Sequence, residues 1–252
     1  MKALGIDIGG SGIKGGIVDI AAGEMISDRH RIKTPHPATP EAMVDVMAEI
    51  VEHFEWSGPI GCGYPGVIQQ QTMMTAANLD KSWIGVNLSE RLSKRTGSPV
   101  WVINDADAAG IAEMHFGVGK GKPGVVMLIT VGTGLGTALF VDGMLVPNTE
   151  LGHLLLDNGH EAEKYAAGSV KKEKDLSFKA WAKRFNKYLN YVHAILRPEL
   201  FIIGGGIAKK ADKFLEYFDV PIPVVPAEQG NLAGIVGAAM AAHLAHQGRT
   251  SN

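Results

Sequence analysis

Asp105 follows Asn104 at the end of the apolar run Pro99-Val100-Trp101-Val102-Ile103, just ahead of a stretch of helical character. A carboxylate at the carboxyl end of a strand, before a helix, stands where open α/β sheets carry their functional groups. There it can take the proton of a hydroxyl as that oxygen attacks phosphorus. Asn104 beside it offers a donor and an acceptor, which suits a sugar hydroxyl. The plainer reading is that Asp105 or Asp107 simply caps the helix that starts near Ala106. Farther along, Glu150-Leu151-Gly152-His153 and then Glu163 add two carboxylates and an imidazole. With Asn104 and Asp105 they make a set suited to several sugar hydroxyls, although His153 alone reads as structural and Glu163 alone as a solvated helix residue.

Two glycine-rich turns supply the other half of the chemistry. The first, Gly9-Gly10-Ser11-Gly12, joins the apolar runs Ala3-Leu4-Gly5-Ile6-Asp7-Ile8 and Ile13-Lys14-Gly15-Gly16-Ile17-Val18. The second, Gly132-Thr133-Gly134, lies between a run ending in Thr130-Val131 and Leu135-Gly136-Thr137-Ala138-Leu139. Glycine lets backbone N–H groups approach a ligand closely, and Ser11, Thr130 and Thr133 add hydroxyls. Two such turns facing one another would grip a phosphate chain from both sides. Gly10, Gly12 and Gly15 match a dinucleotide fingerprint in spacing, but that fingerprint needs a helix to begin at the glycines. The β-branched, glycine-broken stretch that follows reads as a hairpin strand, so the Rossmann reading fails. The Walker form fails as well, because Lys14 lacks the preceding glycine and the following hydroxyl residue.

These residues need strands and helices to position them, and the chain supplies both in alternation. After the first hairpin, residues 24–33 read as a third strand. Thr39 is placed to cap a helix with Pro40 at its first position and an apolar face of Val44, Met47, Ile50, Val51 and Phe54. Further helices are expected around 88–96, from about 106 to 116, from about 177 to 196 and from about 230 to 246, with strands at 99–103, 200–203 and near Val224, and a short buried strand within 60–67 that runs into a rigid turn. The strand–glycine turn–strand unit appears twice, which points to an α/β protein with duplicated halves. The expected division is a small N-terminal domain over 1–103, a larger one over 104–231, the helix at 232–252 packing back on the first, and the active site in the cleft between them.

Composition narrows the classes. Lys+Arg 24 against Asp+Glu 26 gives a net charge of −2, which argues neither for nucleic acid nor for an acidic membrane surface. The single cysteine, Cys62, excludes an internal disulfide and reads as a packed small residue. No signal segment and no apolar run of membrane-spanning length is expected, so the protein is expected to be cytoplasmic.

Gly5-Ile6-Asp7-Ile8-Gly9-Gly10-Ser11-Gly12-Ile13-Lys14, Asn104-Asp105, Gly132-Thr133-Gly134-Leu135-Gly136, Glu150-Leu151-Gly152-His153 and Gly204-Gly205-Gly206 together resemble the ROK family of sugar kinases, within the sugar kinase, Hsp70 and actin superfamily. More narrowly, Thr34-Pro35-His36-Pro37-Ala38-Thr39-Pro40-Glu41, Trp181-Ala182-Lys183-Arg184 and the stretch 198–214 resemble polyphosphate glucokinases. The resemblance spans nearly the whole chain. It implies a two-domain actin-like, ribonuclease H-like fold and an enzyme that makes glucose 6-phosphate from glucose, with inorganic polyphosphate and ATP as donors and Mg²⁺ as cofactor. Mannose is a further candidate acceptor, and a cytoplasmic homodimer is the implied assembly. In residue terms it implies that Asp105 is the base and that Asn104, Glu150, His153 and Glu163 hold the sugar, with Asn78 and Gly66 at weaker positions. Asp7 would lie near the metal, and Gly204, Gly205 and Gly206 would face a nucleotide. Many members of the family hold a structural zinc through a cysteine cluster after the Gly-His motif. Here Asp157-Asn158-Gly159-His160 occupies that region without a cysteine, so no structural zinc is expected and His153 is left for the sugar.

Within the helix after Ser177, Phe178, Trp181, Phe185, Tyr188, Val192 and Ile195 form one apolar face, and Lys179, Lys183 and Lys187 recur every four residues beside it. Such a stripe, with Lys171, Lys172 and Lys174 nearby, would attract a polyphosphate chain, or it is a solvated basic face. Two rival functions remain at this level. One is an ATP-only hexose or N-acylmannosamine kinase. The other is a non-catalytic sugar sensor, against which Asp105 and the lack of room for a DNA-binding segment argue.

Overall fold

The first apolar repeat folds back on itself as the antiparallel hairpin of β1 (Lys2–Gly9) and β2 (Gly12–Asp19) in the computed structural model, which describes residues 1–76, 79–157 and 159–248. Gly9 pairs with Gly12, which makes Gly10-Ser11 a two-residue turn. Next come β3 (Glu24–Met25), β4 (His30–Ile32), α1 (Pro40–His53), β5 (Ile60–Tyr64), β6 (Ile68–Gln69), β7 (Thr72–Met73), α2 (Leu88–Thr96), β8 (Val100–Asn104) and α3 (Asp105–Phe116). The main sheet runs β3-β2-β1-β5-β8, with β4 also on β2. Because β1, β5 and β8 are mutually parallel, their carboxyl ends share one edge. Asp7 to Gly9, the turn after Tyr64 and Asn104-Asp105 therefore emerge together.

The segment 24–33, expected as one strand, is two short ones. Ile17 N–H donates to the Ser27 hydroxyl at 2.9 Å instead of to a carbonyl, and the side chain interrupts the ladder there. α1 is as the sequence implies: the Thr39 side chain accepts from Ala42 N–H and Pro40 opens the helix, whose Met43, Met47, Ile50 and Val51 are buried against Leu4, Ile6, Ile8 and Ile13. Cys62 is fully buried in the same core, and burial pushes its thiol up to about 12.

The second sheet repeats the pattern. β9 (Val125–Val131) and β10 (Leu135–Val141) form a hairpin, β11 (Met144–Val146) adds to its outer side, and after α4 (Ala162–Ala166), α5 (Gly168–Glu173) and α6 (Phe178–Leu196) come β12 (Leu200–Gly204) and β13 (Val224–Pro226). The order is β11-β10-β9-β12-β13, with β9, β12 and β13 parallel. Ser177 caps α6, whose Trp181, Phe185, Tyr188, Leu189 and Val192 fill the core under this sheet. Ile195, expected on that face, is exposed, because the last turn of α6 runs past the core to a left-handed cap at Arg197.

The final helix, α7 (Ala233–His246), is buried along most of its length. A Cβ at Gly5 would stand 2.0 Å from the Ile235 carbonyl oxygen, and one at Gly61 would stand 1.8 Å from that of Ala238. Helix backbone thus lies directly on strand backbone, which a side chain larger than hydrogen would forbid. The chain divides into two units, Met1–Ala112 with Leu232–Asn252, and Glu113–Asn231. That division falls inside α3 rather than at the 103/104 boundary expected from the sequence. Among the described residues, no helix is long and apolar enough to cross a membrane.

Candidate active site

In the first unit, the turn Gly10-Ser11 is held by its carbonyls. Thr34 Oγ1 donates to Gly9 O at 2.6 Å and Arg31 Nη2 donates to Ser11 O at 2.7 Å. The N–H groups of Gly10 and Ser11 donate to no protein group among the described residues. One turn back, Lys14 Nζ meets Asp7 Oδ2 at 2.8 Å across the β1–β2 pairing. A Cβ at Gly234 would lie 3.1 Å from the Asp7 carboxyl carbon, so the first turn of α7 sits against that carboxylate. Ile13, placed by sequence in the phosphate turn, has its side chain fully in the core and can offer the turn its backbone alone.

At the same sheet edge, the cap of α3 is Asn104, not Asp105 or Asp107. Its Oδ1 accepts from Ala106 N–H at 2.9 Å and from Asp107 N–H at 3.0 Å, satisfying two orphan donors of the helix start. Its Nδ2 donates to Gly66 O at 3.1 Å, which ties the turn after β5 to the helix. The amide Nδ2 carries one further N–H beside the one given to Gly66. Thr75 supports the same turn, accepting from Val67 N–H at 2.9 Å through Oγ1 and from the Tyr64 hydroxyl at 3.0 Å through its carbonyl. Asp105 opens α3, half-buried, with Gly63 close enough that a Cβ there would lie 3.7 Å from the Asp105 Cα. Asn78 lies outside the described residues.

In the second unit, the turn 132–134 is held from α5. Ser169 N–H donates to Gly132 O at 3.1 Å and Ser169 Oγ donates to Thr133 O at 2.6 Å. Glu163 Oε2 accepts from Leu135 N–H at 3.4 Å, where β10 leaves the turn. Thr130, near the end of β9, pairs with Gly136 on one side and Gly204 on the other. Gly205 then turns with φ +77°, and a Cβ on it would stand 2.5 Å from the Val131 carbonyl oxygen, so glycine is required twice over. The end of β12 and the start of the second turn are thereby packed together.

Glu150, His153 and Glu163 do meet. His153 Nε2 is 3.6 Å from Glu150 Oε2, and its Nδ1 is 3.8 Å from Glu163 Oε1. His153, expected to be left for the sugar, thus lies between two carboxylates. Loss of surrounding water raises the Glu150 pKa above the ordinary carboxylate value, His153 opposes this, and Glu163 adds to it. His153, Glu161 and Glu163 also bring ligand atoms within 4.8 Å of one another, although Glu161 is already paired with Lys164. On α6, Lys179 and Lys183 are exposed, while Lys187 pairs with Asp157 at 2.5 Å. Sequence reasoning missed Arg31, Thr34 and Ser169, which hold the turns without belonging to them. Gly168-Ser169 at the head of a helix was the one local signal.

The ROK family model matches residues 3–172. Over 239 residues the chain is 51% identical to the polyphosphate glucokinase of Mycobacterium tuberculosis (strain CDC 1551 / Oshkosh), covering 94% of this chain and 90% of that protein. The inorganic polyphosphate/ATP-glucomannokinase from Arthrobacter sp. strain KM superposes with a TM-score of 0.92 at 46% identity, covering 97% of this chain and 99% of the other. A ROK family glucokinase from Streptomyces griseus, in complex with glucose and AMPPNP, gives 0.80 at 27% identity, covering 96% and 99%. The twin sheets, each built on a hairpin with a glycine turn, are thus those of the actin-like ATPase fold.

Proposed function

Since the chain belongs to the ROK family, we infer that it is a sugar kinase that makes glucose 6-phosphate from glucose, with inorganic polyphosphate or ATP as the phosphoryl donor. The observation that carries the catalytic assignment is the cap of α3. Asn104 takes two of the first-turn N–H groups, so the capping role proposed for Asp105 is filled by its neighbour. Asp105 then stands at the shared carboxyl edge of β1, β5 and β8, the edge from which the Gly10-Ser11 turn also emerges.

In this reading Asp105 takes the proton of the 6-hydroxyl as its oxygen attacks the terminal phosphorus. Glu150, His153, Glu163 and the remaining N–H of Asn104 orient the ring by its other hydroxyls. The backbone N–H groups of Gly10, Ser11, Thr133 and Gly134 receive the donor's phosphate oxygens. Asp7, whose Oδ2 is paired with Lys14, would offer its carboxylate to a Mg²⁺ ion, a cation that takes one or two carboxylates alongside phosphate oxygens. When bound, it neutralises charge on the donor phosphates. Mannose is the second hexose the reading admits, through its likeness to the Arthrobacter enzyme. Cytoplasmic residence fits one buried, unpaired cysteine.

Coupled assays of glucose with polyphosphate and with ATP test this directly. Wild type should turn over with both, and Asp105→Asn should bind glucose as before while kcat falls by about 10²–10⁴. Turnover of the variant within tenfold of wild type would remove Asp105 from the mechanism.

A further inference from the structure

Three lysines of the second unit converge on one aromatic ring. The Nζ of Lys171 lies 4.3 Å from the centroid of the Phe178 ring, and those of Lys210 and Lys213 each lie 6.0 Å from it. Phe178 is itself stacked on the buried Phe214, so the ring is fixed. Among the described residues none of these three ammonium groups has a carboxylate within ion-pairing distance. A ring face attracts a cation only weakly at an exposed site, and three like charges around it repel one another. The cluster is therefore a place where positive potential is left uncompensated.

Its connection to the phosphate turns is direct. Lys171 lies on α5, two residues beyond Ser169, which holds the carbonyls of Gly132 and Thr133. Lys210 and Lys213 lie on the 3₁₀ segment Ala208–Lys213, which leaves Gly204-Gly205-Gly206, and Gly205 is packed on Val131 at the start of the second turn. Both elements that brace the second glycine turn therefore lead to the same ring. The α6 stripe is less suited to this task, because Lys187 is neutralised by Asp157.

We propose that Lys171, Lys210 and Lys213, gathered over Phe178, form the subsite that holds the trailing, unreacting phosphates of an inorganic polyphosphate donor. The proposal rests on the phosphoryl-donor reading above. A linear anion with a charge on every repeat, held by its end at the glycine turns, relieves the repulsion among the three ammonium groups with its following units. A nucleotide has no charged continuation there.

The test is the full chain carrying Lys171→Gln, Lys210→Gln and Lys213→Gln together, beside the matching triple Lys→Arg variant. With glucose saturating, KM for long-chain polyphosphate should rise about tenfold at unchanged kcat. The slope of log KM against log salt should fall by about two, as expected for three lost phosphate contacts. KM for ATP and for tripolyphosphate should stay within about twofold of wild type, and the Arg variant should stay near wild type with every donor. An unchanged KM for long polyphosphate, or an equal rise for ATP, would overturn the subsite. Equilibrium binding of long-chain polyphosphate, followed by fluorescence, separates this from the donor reading. If wild type binds the polymer but does not turn it over, the donor assignment fails, while loss of binding in the Gln variant still supports the subsite. A single-stranded oligonucleotide bound as tightly as polyphosphate, and lost in the same variant, would instead make the cluster a nucleic-acid surface.

Discussion

Turn one, at Gly10-Ser11, is fastened by its own sheet and the loop that follows it: Lys14 reaches Asp7 across the hairpin, Arg31 binds Ser11 O, and Thr34 binds Gly9 O. Turn two, at 132–134, is fastened from helices, by Ser169 on α5 and by Glu163 on α4. Glu163 also lies 3.8 Å from His153, in the group that would hold the sugar. One turn is thus braced independently of the acceptor, while the other shares a carboxylate with it. The same hairpin topology, used twice, yields one glycine turn held within its own sheet and loop and one whose bracing carboxylate also reaches His153.

The largest departure should come from Gly134→Ala. A Cβ there would stand 2.4 Å from Glu163 Oε2, so the carboxylate must move. Its bond to Leu135 N–H is then disturbed, and if Glu163 also holds the sugar, KM for glucose should rise about tenfold, the scale of one hydrogen bond to a charged group. A rise in the donor KM alone would show that Glu163 serves the turn and not the sugar. Next comes Ser169→Ala, which removes the bond to Thr133 O and should raise the donor KM about fivefold, or about 1 kcal/mol, with glucose unaffected.

A smaller, pH-dependent effect belongs to Glu150. Its folded pKa is raised, first by loss of water and then by Glu163, so the fold favours the protonated acid. The stability it contributes is full below the unfolded value and is lost as pH rises through the folded one. For sugar binding the sign is opposite: the acceptor carboxylate disappears as pH falls through the raised value. Glucose KM should therefore climb on the acid side above the ordinary carboxylate range, and Glu150→Gln should flatten that limb. The smallest effects sharpen the comparison within turn one. Gly12→Ala presses on the Arg31 guanidinium, 2.5 Å from the added carbon, and should loosen the turn measurably. Gly10→Ala and Gly132→Ala meet nothing within 4 Å and should change donor KM by no more than about twofold.

Much of this architecture was legible because its signals are local. Thr39 with Pro40, and Ser177 ahead of an amphipathic run, announce α1 and α6 through capping chemistry that needs no tertiary partner. The hairpins follow from β-branched runs meeting glycines. The hairpin of β6 and β7 left no such sign, because Gln70 and Gln71 take positive φ at its turn, where glycine or asparagine is usual. β11 was overlooked although Asp142-Gly143, both at positive φ, is a strong turn signal. At the site, residue types pointed to Asn104 and Asp105, but which of them caps α3 depends on rotamers that spacing does not encode. Arg31, in β4, and Thr34, in the loop after it, reach carbonyls 20 and 25 residues earlier in the chain, and such long-range carbonyl satisfaction has no sequence pattern.

The backbone-on-backbone seat of α7 against Gly5 and Gly61 bears on the order in which the chain matures during translation. Synthesis proceeds from residue 1 at about 5–20 residues per second, so the strands of the first sheet emerge well before the helix that covers them. All of Glu113–Asn231 is made in the interval, and that unit is continuous in sequence. The second unit can therefore close around α6 while the first still waits, its glycine-lined sheet face bare until the ribosome has delivered residues 233–246.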